Sequence, residues 1–119
     1  MADSTVLVAE DDDGVRMTIQ FVLEDEGFKL LMAKNGEEAL ELARAHQPDV
    51  ILLDNLMPKM DGKAVFAELQ ADERTSSIPV LVMSGMSSGD PGEWPGARFV
   101  GKPFRPEELV DEIRKALAA

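Results

Sequence analysis

The chain has 119 residues, enough for one domain with a real core and too few for a second, and 45% apolar against 29% charged residues is a globular composition. Its 23 acidic and 12 basic residues leave a formal charge of −11, which repels nucleic-acid backbones, and no basic cluster offsets it. Cysteine is absent, so disulfides and thiolate metal sites are excluded. Residues 1 to 5 lack the regions of a signal peptide and no apolar run reaches membrane-spanning length, which makes a cytoplasmic protein the expectation.

Thr5-Val6-Leu7-Val8-Ala9 is a continuous apolar run, as expected of a strand covered on both faces. Four carboxylates follow it: Glu10, Asp11, Asp12 and Asp13. Val15, Ile19, Val22 and Leu23 then share one face of a helix ending near Gly27. Lys29 to Ala33 reads as a second strand. Asn35 and Glu38 have the spacing of an N-cap with its N3 partner, opening a helix to about His46 whose buried face carries Ala39, Leu40 and Ala43.

Val50-Ile51-Leu52-Leu53 is a third apolar strand ending at Asp54. Asp61-Gly62 turns into a helix bearing Val65, Phe66 and Leu69. Pro79 to Met83 reads as a fourth strand with proline at its tolerated first position, and Phe99-Val100 as a brief fifth. The last helix has Pro106 near N1 and Leu109, Val110, Ile113 and Leu117 on one face. No repeat or linker interrupts this order, so residues 1–119 read as a single domain.

Strands alternating with helices imply an α/β fold, a parallel sheet covered on both faces through right-handed crossovers. The first, third and fourth strands are the most apolar and belong at the centre. The second and fifth carry polar ends and belong at the edges, which suits the flavodoxin-like order 2-1-3-4-5. In such sheets ligands bind beyond the carboxyl ends of the strands, where the order reverses.

That topology sorts the polar residues. Glu10 and Asp11 end strand one, Asp54 ends strand three, Ser84 ends strand four and Lys102 follows strand five. Three carboxylates on adjacent strand ends suit a hard divalent cation such as Mg²⁺. Beside them Lys102 offers a cation and Ser84 a hydroxyl donor. Such an assembly can stabilise a transferring phosphoryl group, with a carboxylate as nucleophile.

These residues carry a resemblance over essentially the whole chain. VLVAEDDDGVR, residues 6 to 16, VILLDNLMPKMDG, residues 50 to 62, Met83-Ser84-Gly85 and Gly101-Lys102-Pro103-Phe104 together resemble the receiver domain of two-component response regulators, of the stand-alone kind. The resemblance implies that Asp54 is the phosphoacceptor. It implies that Asp11 and Asp54 bind Mg²⁺ directly, with Glu10 acting through water and the Leu56 backbone carbonyl completing the protein ligands. Glu10 stands where many members have Asp. Ser84 and Lys102 are implied to bind phosphoryl oxygens, Lys102-Pro103 to be a cis peptide, and Phe99 to be an aromatic switch that turns inward with Ser84. The implied partners are a histidine kinase or phosphotransfer protein as donor, a downstream protein, and a second copy of the chain; nucleic acid and membrane are not among them. Two other readings stand beside this one: a constitutive receiver-fold scaffold, and a small Mg²⁺-dependent aspartyl phosphatase, in which Leu56 occupies the place of an expected second Asp. On the receiver reading the chain assists its own phosphorylation and dephosphorylation but is not a turnover enzyme.

Plainer roles are expected elsewhere. Asp12 reads as a solvated cap, His46 as a surface or helix-end residue, and the methionines mostly as packing. The segment 85–101, GMSSGDPGEWPGARFVG, falls where the family has a fourth helix, is a few residues short of the family norm, and its Pro91, Pro95 and four leading glycines predict a loop or single turn. Trp94, the only tryptophan, fits either a partner contact or packing over that shortened face. Arg105 stands where a better N-cap residue is expected.

Overall fold

The computed structural model describes residues 4–54, 62–84, 94, 96–101 and 104–118. Five strands, β1 (Thr5–Ala9), β2 (Lys29–Ala33), β3 (Val50–Asp54), β4 (Val80–Ser84) and β5 (Arg98–Gly101), form one parallel sheet in the order 2-1-3-4-5. Between and after them run α1 (Asp13–Asp25), α2 (Gly36–His46), α3 (Gly62–Ala71) and α4 (Pro106–Ala118).

The period-two alternation of side chains divides the strands between two cores. Leu7, Ala9, Ala33, Ile51, Leu53, Val80 and Val82 point to the face covered by α2 and α3, through Ala39, Leu40, Ala43, Val65, Phe66 and Leu69. Val6, Val8, Val50, Leu52, Leu81, Met83 and Val100 point to the other face, covered by Ile19 and Leu23 of α1 and by Leu109, Val110, Ile113 and Ala116 of α4. A strand apolar at every position is what two covered faces require. Each fully buried aliphatic contributes about 1.5–3 kcal/mol relative to exposure, so this double burial dominates the fold's stability.

The helix ends follow local chemistry. The Asp12 carboxylate caps α1 by accepting the Val15 N–H at 3.0 Å, the solvated-cap role expected of it. Gly27, at φ +91°, takes the left-handed position just past the end of α1. The Asn35 side chain accepts the Glu38 N–H at 2.9 Å, while Glu38 reaches back to the Lys34 N–H rather than to that of Asn35. Arg105 is explained by its partner: its own N–H donates to the Glu108 carboxylate at 2.9 Å, half of a capping box, and Pro106 fills N1.

Three expectations shift. Pro79 lies just before β4, not inside it, and its carbonyl accepts the Ile51 N–H, so the strand avoids a residue with no donor. Met83 packs in the core, but Met17 is exposed, as is Phe21 one turn further along α1. Trp94 is buried, 3% exposed, which decides between packing and partner contact in favour of packing. Residues 85–93 and Pro95, and with them the loop expected there, lie outside the described residues; the Ala97 N–H donates to the Trp94 carbonyl at 3.0 Å, and Gly96 stands at φ +84°.

Candidate functional site: a carboxylate cluster at the strand ends

Parallel pairing sets β1 and β3 side by side, with Ala9 opposite Leu53. One residue further along each strand are Glu10 and Asp54, and Asp11 follows. Ligand oxygens of Glu10, Asp11 and Asp54 all lie within 4.8 Å of one another. Glu10 is 1% exposed and Asp54 4%, whereas Asp11 opens to solvent. Two of the three clustered carboxylates are thus buried and one is exposed.

Like charges at that separation repel by about 3–4 kcal/mol per pair at an effective dielectric near 20. Oxygen donors in that number and spacing, hard and anionic, are the donor set a divalent cation such as Mg²⁺ takes, and a cation offsets the repulsion. The chemistry of the cluster therefore fits the ion that the strand-end carboxylates suggest.

The turn carrying Glu10 and Asp11 is held in place by its backbone. The Glu10 N–H donates to the Ala33 carbonyl at 3.1 Å, extending the β1–β2 ladder one residue past the strand. The Glu10 carboxylate accepts the Asp12 N–H at 3.2 Å. Arg16, one turn into α1, donates through Nη1 to the Glu10 carbonyl at 3.0 Å and reaches the Asp11 carbonyl at 3.5 Å, while Nη2 pairs with Asp13. Arg16 thereby spends its charge on two backbone carbonyls and on the Asp13 carboxylate. Its guanidinium, hydrogen-bonded to Asp13 and adding a favourable charge, holds that carboxyl below the ordinary aspartate range. The sequence shows Arg16 at the right distance, but its part in bracing this turn emerges only from the structure.

Of the remaining predicted site residues, Ser84 ends β4 opposite Gly101 of β5, which brings its backbone to the same end of the sheet; its side chain lies outside the described residues. Leu56, Lys102 and the Lys102–Pro103 bond lie outside them as well. Phe99 pairs with Val82, two rungs before Ser84, and is half-buried against the α2/α3 core. Its ring meets Trp94 edge-on, centroids 6.2 Å apart at 84°, and Trp94 in turn meets Phe66 of α3 at 5.5 Å and 48°. His46 is exposed in the last turn of α2, away from the cluster, and Gln47 closes that helix in the left-handed conformation.

Residues 6–114 match the family described as response regulator receiver domain. The chain is 36% identical over 119 residues to response regulator Rre1 of Synechocystis, covering 96% of this chain and 52% of that protein. It is 34% identical over 113 residues to the transcriptional regulatory protein SrrA of Staphylococcus aureus, covering 94% and 47%. The chain thus spans about half the length of the curated relatives it matches. Among solved structures, a putative response regulator from Chloroflexus aurantiacus superposes with a TM-score of 0.90 at 30% identity, covering 98% and 99% of the two chains. The chemotaxis protein CheY4 of Vibrio cholerae superposes at 0.86 with 26% identity, covering 96% and 98%. The receiver domain of sensor histidine kinase PA1611 from Pseudomonas aeruginosa, solved with a magnesium ion in its active-site cleft, shares the fold at 0.92 with 22% identity, covering 98% and 99%.

Proposed function

This chain belongs to the response regulator receiver domain family, and from that premise we propose that Asp54 is its phosphoacceptor and that phosphorylation there controls what the domain binds. The observation that carries the reading is the cluster of Glu10, Asp11 and Asp54 at the carboxyl ends of β1 and β3. A carboxylate oxygen of Asp54 attacks the phosphorus of a phosphohistidine on a histidine kinase or phosphotransfer protein. The P–N bond breaks, its electron pair leaves with the imidazole, and an acyl phosphate forms on Asp54. Asp11 and Asp54 would hold Mg²⁺ directly, Glu10 would hold it through water, and the Leu56 carbonyl would complete the protein ligands; the ion would supply charge neutralisation for the phosphoryl oxygens. Lys102 and Ser84 take the remaining phosphoryl oxygens, and Phe99 follows Ser84 inward.

On this reading the domain is an acceptor and a switch, not a turnover enzyme, and output passes to a protein partner. Among the described residues no helix is long and apolar enough to cross a membrane.

The test is intact-mass measurement after incubation with acetyl phosphate, a small-molecule acyl phosphate donor. With Mg²⁺ present the chain gains one phosphoryl group; without Mg²⁺, or in Asp54→Ala, it gains none. An adduct of equal yield in Asp54→Ala would overturn the assignment. If no adduct survives, a beryllofluoride titration followed by NMR separates fast hydrolysis from a dead site. Silence in both would leave a constitutive scaffold as the better account.

A further inference from the structure

We propose that Trp94 is a positioning residue: its buried indole holds the Phe99 ring in its resting place and transmits any movement of that ring to α3. This rests on the reading of Asp54 as phosphoacceptor and adds a residue to it.

Phe99 stands on the α2/α3 face of β5, at the sheet's edge, where it has one neighbouring strand instead of two. There it packs against the core cluster that includes Trp94, itself 3% exposed, and Phe66. The indole is wedged between two rings. One contact, edge-on, is with Phe99, and the other, tilted, is with Phe66 of α3. A ring so placed can leave only by opening space beside both neighbours, because close-packed interiors transmit displacement instead of absorbing it. Phe99 is also two rungs from the Ser84–Gly101 pair on the same strand pair, so the site end of the sheet and the aromatic row are joined by a short stretch of backbone. A shift of Phe99 therefore cannot leave Trp94 where it is. The wedge also favours the resting arrangement: contacts made only there bias the equilibrium toward it and weaken any ligand that selects the other arrangement.

Because Trp94 is the only tryptophan, its emission reports this position alone. The full chain is titrated with beryllofluoride in the presence of Mg²⁺ while the emission maximum and acrylamide quenching are recorded. At rest the emission is that of a buried indole. Saturation shifts it to the red and raises the quenching constant, the change is absent in Asp54→Ala, and most of it is lost in Phe99→Ala. Trp94→Ala and Trp94→Phe are titrated by NMR. Trp94→Ala, freed of the wedge, binds beryllofluoride about threefold or more tighter, while Trp94→Phe, which restores a ring, returns toward the parent affinity. A merely structural tryptophan would lower the melting temperature of Trp94→Ala and leave the affinity unchanged, and that result overturns the proposal. So does an unchanged emission in a chain that acetyl phosphate demonstrably phosphorylates, and there the reading of Asp54 survives. A chain that neither acetyl phosphate nor beryllofluoride modifies loses both.

Discussion

The two faces of the sheet treat its last strand differently. On the face shared by α1 and α4, β5 is covered by a thirteen-residue helix, and Val100 lies against it 6% exposed. On the opposite face Phe99 stays half-buried, its ring against the indole of Trp94. A helix is fixed along its length by its own hydrogen bonds and by several core side chains at once. An indole is fixed by the few rings it touches. The first arrangement makes a rigid backing, and the second holds its side chains by fewer contacts.

That contrast can be broken most severely from the helical side. Leu109→Ala removes a fully buried side chain at the centre of the α4 packing and costs about 3–4 kcal/mol, measured by urea unfolding. Trp94→Ala costs somewhat less, about 3 kcal/mol, the low end for a buried aromatic because it stands at the sheet's margin; Trp94→Phe recovers most of it. Equal costs for Leu109→Ala and Trp94→Ala would mean the indole is as firmly built in as the helix.

A smaller effect lies where α2 and α3 are tied together. The Asp72 carboxylate accepts from the Arg74 side chain and N–H and from the Arg44 guanidinium. The hydrogen bonds to Arg74 chiefly hold its pKa down to about 2. A depressed carboxyl pKa contributes stability that is present above the unfolded value near 4 and lost as pH falls through about 2. Asp72→Asn therefore lowers the melting temperature by a few degrees at neutral pH, and the gap to the parent narrows below about pH 4 and closes only as pH falls through about 2. A gap undiminished at about pH 2 would assign Asp72 a role its charge does not explain. The smallest effect belongs to Phe21→Ala, on the same helix as Ile19 but 76% exposed, which changes stability by less than about 0.5 kcal/mol.

Much of this architecture is legible in the sequence because two-sided burial leaves strand interiors apolar, with polar residues only at the strand ends. Val50 to Leu53 could hardly be anything but a central strand, and its position brings Asp54 to Glu10 and Asp11 through topology alone. The Asn35–Glu38 spacing gave the start of α2 for the same reason, a local rule acting locally. Trp94 resisted because its neighbours in sequence are prolines and glycines while its neighbours in space, Phe66 and Phe99, are distant along the chain on one side. Thr75 resisted too: it looks like an ordinary turn residue, yet it is fully buried with its hydroxyl donating to the Leu69 carbonyl at 2.7 Å, stitching the turn to the end of α3. Arg16 and Arg105 act partly on the backbone, Arg16 on the Glu10 carbonyl and Arg105 through its own N–H, and neither partner is visible in a linear pattern. Long-range packing and backbone partners are the two things a linear pattern does not print.

Glu10, Asp11 and Asp54 form a cluster of like-charged carboxylates at the strand ends, and a divalent cation there would offset their repulsion. The most direct test is the unfolding midpoint in urea as MgCl₂ is raised, against NaCl at matched ionic strength, for the parent and for Asp11→Asn. A ligand that binds only the folded state at ten times its Kd stabilises by about 1.4 kcal/mol. The account predicts that the parent gains that much from Mg²⁺ and nothing comparable from NaCl. It also predicts that Asp11→Asn starts slightly more stable than the parent without Mg²⁺ and gains little when Mg²⁺ is added. A parent indifferent to Mg²⁺, or an Asp11→Asn variant that responds as the parent does, would contradict it.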